Sequence, residues 1–139
     1  MKKILEQSVG THGLIFNDHD QILIIKRSEH DKHEPLIWDL PGGGINRSED
    51  TKEGFEREVC EETKINISNI QIIGAYSVNK ESLEILMTSK SNSKAVHLSS
   101  EHKEYKWIDI QEFMKLHNAG LHIRFAQFLL KNNKRLVQK

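Results

Sequence analysis

The stretch "GGINRSEDTKEGFEREVCEETKI", 43–65, decides the reading of this chain. It opens on glycine and a polar run. Ser48, Glu49 and Asp50 are suited to capping a helix, and strong helix formers dominate 50–63. Glu58, Glu61 and Glu62 crowd the end of that helix. At about 100° per residue, with Glu58 at 0°, Glu62 stands near about 40° and Glu61 near about 300°. The carboxylates thus share one arc about 100° wide, and like charges so spaced cost roughly 0.2–0.5 kcal/mol per pair. Gly54 falls in the same arc. Glycine there costs a helix roughly 0.8–1 kcal/mol against alanine, and is expected to leave room above the carboxylates. Phe55 and Val59 lie beside the arc and are expected to anchor the helix to a sheet. Cys60 lies away from it and is read as a packed or unremarkable thiol. A solvated acidic face is one reading of the arc. The other is a site for a hard cation: Mg²⁺ takes oxygen ligands and recruits phosphates, and a bound ion reverses the sign of the repulsion.

The surroundings decide between them. The string resembles the Nudix hydrolase box: Gly, five residues, Glu, seven residues, Arg-Glu, an aliphatic, any residue, Glu-Glu, any residue, Gly, an aliphatic. Gly43, Glu49, Arg57, Glu58, Val59, Glu61, Glu62 and Ile65 fit; Lys64 departs, where the family has glycine. Six exact identities, each at roughly 5–10% usage, coincide by chance at about one in a million starts or fewer. "LPGGG" (40–44) looks like the family's approach to the box. "SVGTHGLIFNDHDQILIIKR" (8–27) looks like the opening hairpin of the MutT-like branch, and "EHKEYKWIDIQEF" (101–113) like its late loop, strand and helix.

The resemblance implies an α/β fold, an α/β/α sandwich with a mixed sheet and the box as loop, helix, loop. It implies one domain over 1–139 and hydrolysis of a nucleoside diphosphate linked to another group, with Mg²⁺ or Mn²⁺. Carried over by residue, Glu61 and Glu62 are the principal metal ligands. Glu58 is a further ligand or the base that activates water, and a carbonyl of Gly42 or Gly43 completes the coordination. Arg57 with Glu49 fastens the loop and orients the catalytic glutamate, since arginine holds carboxylates in fixed geometry. Glu101, six residues before Trp107, is expected to face the metal cluster, with Glu104 the competing choice. Lys64 sits where a left-handed backbone favours glycine. It should cost about 1 kcal/mol if that backbone is kept, or the helix runs on slightly.

Outward from the box, the rest of the chain reads as strands and helices. "SVGTHGLIF" (8–16) and "QILIIKR" (21–27) form a hairpin about "NDHD". Lys26 and Arg27, ending the second of these, are candidates to meet a phosphate. "HDKHE" (30–34) lacks a second ligand group at zinc spacing and reads as a solvated loop. "LIWDLPGGG" (36–44) is a short strand ended by Pro41 and the glycines. "IQIIGAYSV" (70–78) and "ESLEILMTS" (81–89) pair as strands. "EYKWIDI" (104–110) is a strand and "IQEFMKLH" (110–117) a short helix. "LHIRFAQFLLKNN" (121–133) is an amphipathic helix with Leu121, Phe125, Phe128 and Leu129 on its apolar stripe. Trp38 and Trp107 read as packing residues. Strands and helices do not alternate, so a dinucleotide-binding βαβ fold fits poorly.

The chain of 139 residues carries 20 basic and 20 acidic side chains, which leaves no charge footprint for nucleic acid or membrane. One cysteine cannot form an internal disulfide, and no apolar run of signal-peptide length follows the basic start "MKKILEQ". The expectation is a cytoplasmic protein; homodimers are common in the family. No proline lies about fifteen residues past the box and no tyrosine slightly further on, so markers of two subfamilies are missing; a third signature ahead of the box is missing too. That leaves a (deoxy)nucleoside triphosphate pyrophosphohydrolase as the expected function. The alternatives are another substrate, such as a nucleotide sugar or dinucleotide polyphosphate, and a nucleotide-sensing domain without turnover.

Overall fold

Strand "ILII" carries the fold. Ile22, Leu23, Ile24 and Ile25 are all buried, yet they serve two different cores. Ile22 and Ile24 join Leu14, Leu86, Phe113, Ile123, Ala126 and Leu130. Leu23 and Ile25 join Ile15, Met87, Phe55, Val59 and Ile65. A strand buried on both faces reads as a continuous apolar run, because successive side chains point to opposite sides. The pairs Leu14/Ile15 and Leu86/Met87 divide in the same way. Two cores on opposite faces of one sheet make a three-layer sandwich.

The computed structural model describes residues 6–93 and 95–133; the basic start of the chain, 1–5, lies outside that span. The strands are β1 (Ser8–Phe16), β2 (Ile22–Arg27), β3 (Trp38–Asp39), β4 (Gly42–Gly44), β5 (Ile67–Asn79), β6 (Ser82–Ser91) and β7 (His102–Ile108). The helices are α1 (Thr51–Thr63), α2 (Ile110–Lys115) and α3 (Leu121–Asn132). The main strand order is β3-β2-β1-β6-β5, with β4 on β1 and β7 on β2. β1 runs parallel to β6 and the other pairings are antiparallel, so the sheet is mixed.

The β1–β2 hairpin closes through Phe16↔Ile22 and then splays. Into the gap β1 takes β4, while β2 takes β3. This corrects the expectation of a strand that ends at the glycines. Gly42, Gly43 and Gly44 are themselves a strand, paired with His12, Thr11 and Gly10. Gly42 has φ +153°, and a Cβ there would lie 2.0 Å from the Thr11 carbonyl oxygen, so no other residue fits.

α1 lies on one face, held by Phe55 and Val59, both fully buried. Burial of each such side chain contributes roughly 1.5–3 kcal/mol. α3 lies on the other face, but its stripe differs from the one expected. Ile123, Ala126 and Leu130 are buried, whereas Phe128 is 61% exposed and Leu121 36%. Phe125 and Leu129 pack at the margin of the core. Trp38 is buried, and Lys26 and Lys106 place their ammonium groups 5.0 and 5.4 Å from its ring. Among the described residues, no helix is long and apolar enough to cross a membrane.

Candidate active site

The site begins with how α1 is started. Asp50 is its N-cap, accepting from the Lys52 and Glu53 N–H groups. Just before it, Glu49 accepts from the Asn46 N–H at 2.8 Å, which curls the loop. Arg57, two turns into the helix, then locks loop to helix. Its Nε and one terminal nitrogen reach the two Glu49 oxygens at 2.8 and 3.1 Å. The same nitrogen donates to the Gly44 carbonyl at 2.9 Å. The other donates to Glu58 at 3.0 Å and to Glu61 at 3.1 and 3.2 Å. The planar guanidinium is suited to such a fan of acceptors. Arg57 is held firmly protonated, chiefly by Glu49. Its hydrogen bond, with that from Asn46, holds the Glu49 carboxyl below its ordinary pKa.

Gly54 has a use other than the one expected. A Cβ there would stand 2.4 Å from the Ile45 Cδ1 and 2.9 Å from a Glu49 oxygen. Its missing side chain makes room for the returning loop rather than for an ion. The close approach that concerns the carboxylates is at Gly43, where a Cβ would lie 2.4 Å from the Glu58 carboxyl.

The three carboxylates differ in environment. Glu61 is the outer one, its side chain 58% exposed. The Glu58 side chain is 20% exposed, and burial raises its pKa, aided by Glu61 and Glu101. Glu62 is 9% exposed and accepts from the Gly42 N–H at 2.8 Å. Burial, then the charges of Glu58, Glu101 and Asp39, push its pKa up to about 8. A buried carboxyl in this state holds a proton until a cation replaces it, so the donor set fits a hard divalent ion.

The loop after β6 folds back on the end of α1: the Ser99 N–H donates to the Glu62 carbonyl and that of His97 to Thr63. This return brings Glu101 near enough to act on both Glu58 and Glu62. Glu104 stands elsewhere, on β7 opposite Lys26, with its carboxylate 3.7 Å from the Lys26 ammonium. Arg27 faces inward, paired with Asp39 at 2.7 Å and Asp31 at 3.2 Å. Cys60 is exposed. Lys64 closes α1 in the left-handed conformation, φ 62° and ψ 19°, its N–H bonded to the Cys60 carbonyl.

One residue here is not among the site candidates read from the sequence. His102, at the start of β7, puts Nδ1 3.8 Å from a Glu62 oxygen. That nitrogen is buried and makes no hydrogen bond, and burial lowers the ring's pKa. Only its adjacency to Glu101 pointed toward it.

The NUDIX domain family model matches residues 7–129. The chain belongs to the Nudix family. It is 33% identical over 101 residues to a Bacillus subtilis (strain 168) protein provisionally named as an 8-oxo-dGTP diphosphatase, covering 71% of this chain and 64% of that one. It is 30% identical over 113 residues to Nudix hydrolase 8 of Arabidopsis thaliana, covering 77% and 31%. This Nudix chain therefore spans less than two thirds of either relative. The crystal structure of MutT protein from Methanosarcina mazei Go1 superposes with a TM-score of 0.74 at 26% identity, over 99% of this chain and all of that one.

Proposed function

We propose that this Nudix domain is a divalent-cation-dependent pyrophosphohydrolase acting on a nucleoside diphosphate linked to a further group, with (deoxy)nucleoside triphosphates the favoured class. The observation that carries the proposal is the setting of the box glutamates on α1: Arg57 is hydrogen-bonded to Glu58 and Glu61, the nearly buried Glu62 accepts from the Gly42 N–H, and the charge of Glu101 acts on both Glu58 and Glu62. Mg²⁺ or Mn²⁺, held by Glu58, Glu61 and Glu62 with a carbonyl of Gly42 or Gly43, would neutralise the diphosphate and acidify the attacking water. Glu62 is positioned by the Gly42 N–H on one oxygen, while the other lies 3.8 Å from His102 Nδ1. Arg57 aims Glu58 from one side while Gly43 admits it from the other. A carboxylate with a raised pKa is suited to take the proton from water. Glu101 adds negative charge beside the centre, favouring cation binding. Lys26, at the rim of the sheet, offers its charge to a phosphate; Arg27 serves by holding Asp39. The substrate class also accords with the provisional naming of the Bacillus relative.

The test is phosphate or pyrophosphate release from a panel of nucleoside triphosphates, nucleotide sugars and dinucleotide polyphosphates with Mg²⁺. Turnover of a triphosphate is expected, and Glu62→Gln should remove most of it while the protein stays folded. An active Glu62→Gln protein would overturn the site. A wild type inert on the whole panel would favour nucleotide sensing.

A further inference from the structure

A second cluster of ligating side chains lies across the sheet from α1. His12 on β1 and Glu84 on β6 rise on the α3 side, with Leu14 and Leu86 of the same strands. His122 comes down from the first turn of α3. His12 Nδ1 is 2.6 Å from a Glu84 oxygen, and His122 Nδ1 is 3.7 Å from the same oxygen. One ligand atom from each residue falls within 4.8 Å of the others. The three side chains are only 12–13% exposed. The Tyr76 hydroxyl contacts His122 Nδ1. Gly10, opposite Glu84 in the β1–β6 register, gives the carboxylate its place: a Cβ there would lie 2.0 Å from an oxygen.

We infer that His12, Glu84 and His122 form a second metal site, for a borderline divalent cation such as Zn²⁺, that clamps α3 to β1 and β6. Two imidazoles and one carboxylate are a recurrent three-ligand set for zinc, with bonds of about 2.0–2.2 Å. Around a tetrahedral ion such ligands stand roughly 3.3–3.5 Å apart, between the two separations found. The rings are stacked, 3.6 Å between centroids and 13° from parallel. Binding one ion between them would require that stack to open. An ion taking His122 Nδ1 would displace the Tyr76 hydroxyl from that nitrogen. Asp39 lies close enough for the two histidines to act on its charge, and is itself held by Arg27. The ligand chemistry separates this site from the acidic one, whose donors are all oxygen.

Co²⁺ and Zn²⁺ titrations of the full chain read the two sites apart. A Glu61→Gln/Glu62→Gln variant should still take up one equivalent of Zn²⁺ by equilibrium dialysis. With Co²⁺ it should show visible d–d bands of a low-coordinate nitrogen–oxygen site. His12→Ala/His122→Ala in that background should lose the equivalent and the bands, and Zn²⁺ should cease to raise its Tm. Glu84→Gln, which keeps size and shape, should weaken uptake at least tenfold and serves if the double alanine variant does not fold. Zn²⁺ retained after loss of both histidines, or no uptake before it, would overturn the site.

Discussion

Glu62→Gln gives the sharpest test of the acidic centre, because it alters stability and metal response in opposite ways. In the metal-free protein the Glu62 carboxyl has its pKa raised from 4.5 to about 8. Between those values the folded chain binds one more proton than the unfolded chain. Stability from this group is therefore complete below about pH 4.5, falls as pH rises, and is lost above about pH 8. At 1.36 kcal/mol per decade, the fall from pH 5 to pH 8 amounts to about 3–4 kcal/mol. Glutamine keeps an oxygen for the Gly42 N–H and does not titrate. In EDTA, wild type and variant should be nearly equal at pH 5, and the variant should be about 3–4 kcal/mol the more stable at pH 8. Urea denaturation at a series of pH values measures the difference. Mg²⁺ closes most of that gap at pH 8. At a hundredfold excess over Kd it should add about 2.7 kcal/mol to the wild type and little to the variant, and at a fixed Mg²⁺ concentration the gain should grow with pH as the ion replaces a proton. A stability difference that stays flat with pH would refute the buried, charge-crowded Glu62. Equal Mg²⁺ stabilisation of both proteins would refute its role as a ligand.

Three further outcomes follow from the same geometry. Gly54→Ala, favourable by propensity alone, should destabilise by about 1–3 kcal/mol in urea, because its Cβ would meet Ile45 and Glu49; a stabilised variant would show the loop yields freely. Lys64→Gly should stabilise by about 1 kcal/mol and raise Tm by a few degrees, given the left-handed φ of 62°; no gain would mean the lysine makes good the strain elsewhere. Glu101→Gln should weaken Mg²⁺ binding and turnover, while Glu104→Gln, beside Lys26, should leave Mg²⁺ affinity within about twofold. The reverse pattern in Mg²⁺ titrations would exchange their roles.

What the sequence made legible was local. Apolar, β-branched runs bounded by turn residues marked β1, β2, β5 and β6, and capping side chains marked the start of α1, because those signals act between near neighbours. The errors arose where a distant segment decides. Three glycines carry no side-chain pattern, so β4 exists only through its pairing with β1. α3 is apolar on more than one face, and the large Phe128 outweighed the small Ala126 until the sheet chose between them. Arg27 looked free at a strand end because Asp39 lies across the β2–β3 pairing. Gly54 was assigned to the right helix face, but its neighbour is a loop residue that helical periodicity does not include. His102 and the His12–Glu84–His122 group are brought together by pairing and helix docking alone.

The structure also changes the account of the crowded glutamates. Read as a helix face, Glu58, Glu61 and Glu62 seemed to need a bound cation to offset their repulsion. Arg57 already does much of that: one guanidinium is hydrogen-bonded to Glu49, Glu58 and Glu61. Glu62 alone of the three lacks an arginine. It has instead a single backbone N–H and a nearby histidine whose own charge is suppressed by burial. If the proposed cation site is right, the need for an ion falls chiefly on Glu62, the deepest of the three, while Glu58 and Glu61 are already held by Arg57. A site so arranged keeps its loop and helix in register without metal, and leaves one carboxyl to couple proton release to metal binding. That is why the pH dependence of Mg²⁺ stabilisation, more than the loss of turnover, reports on how this helix works.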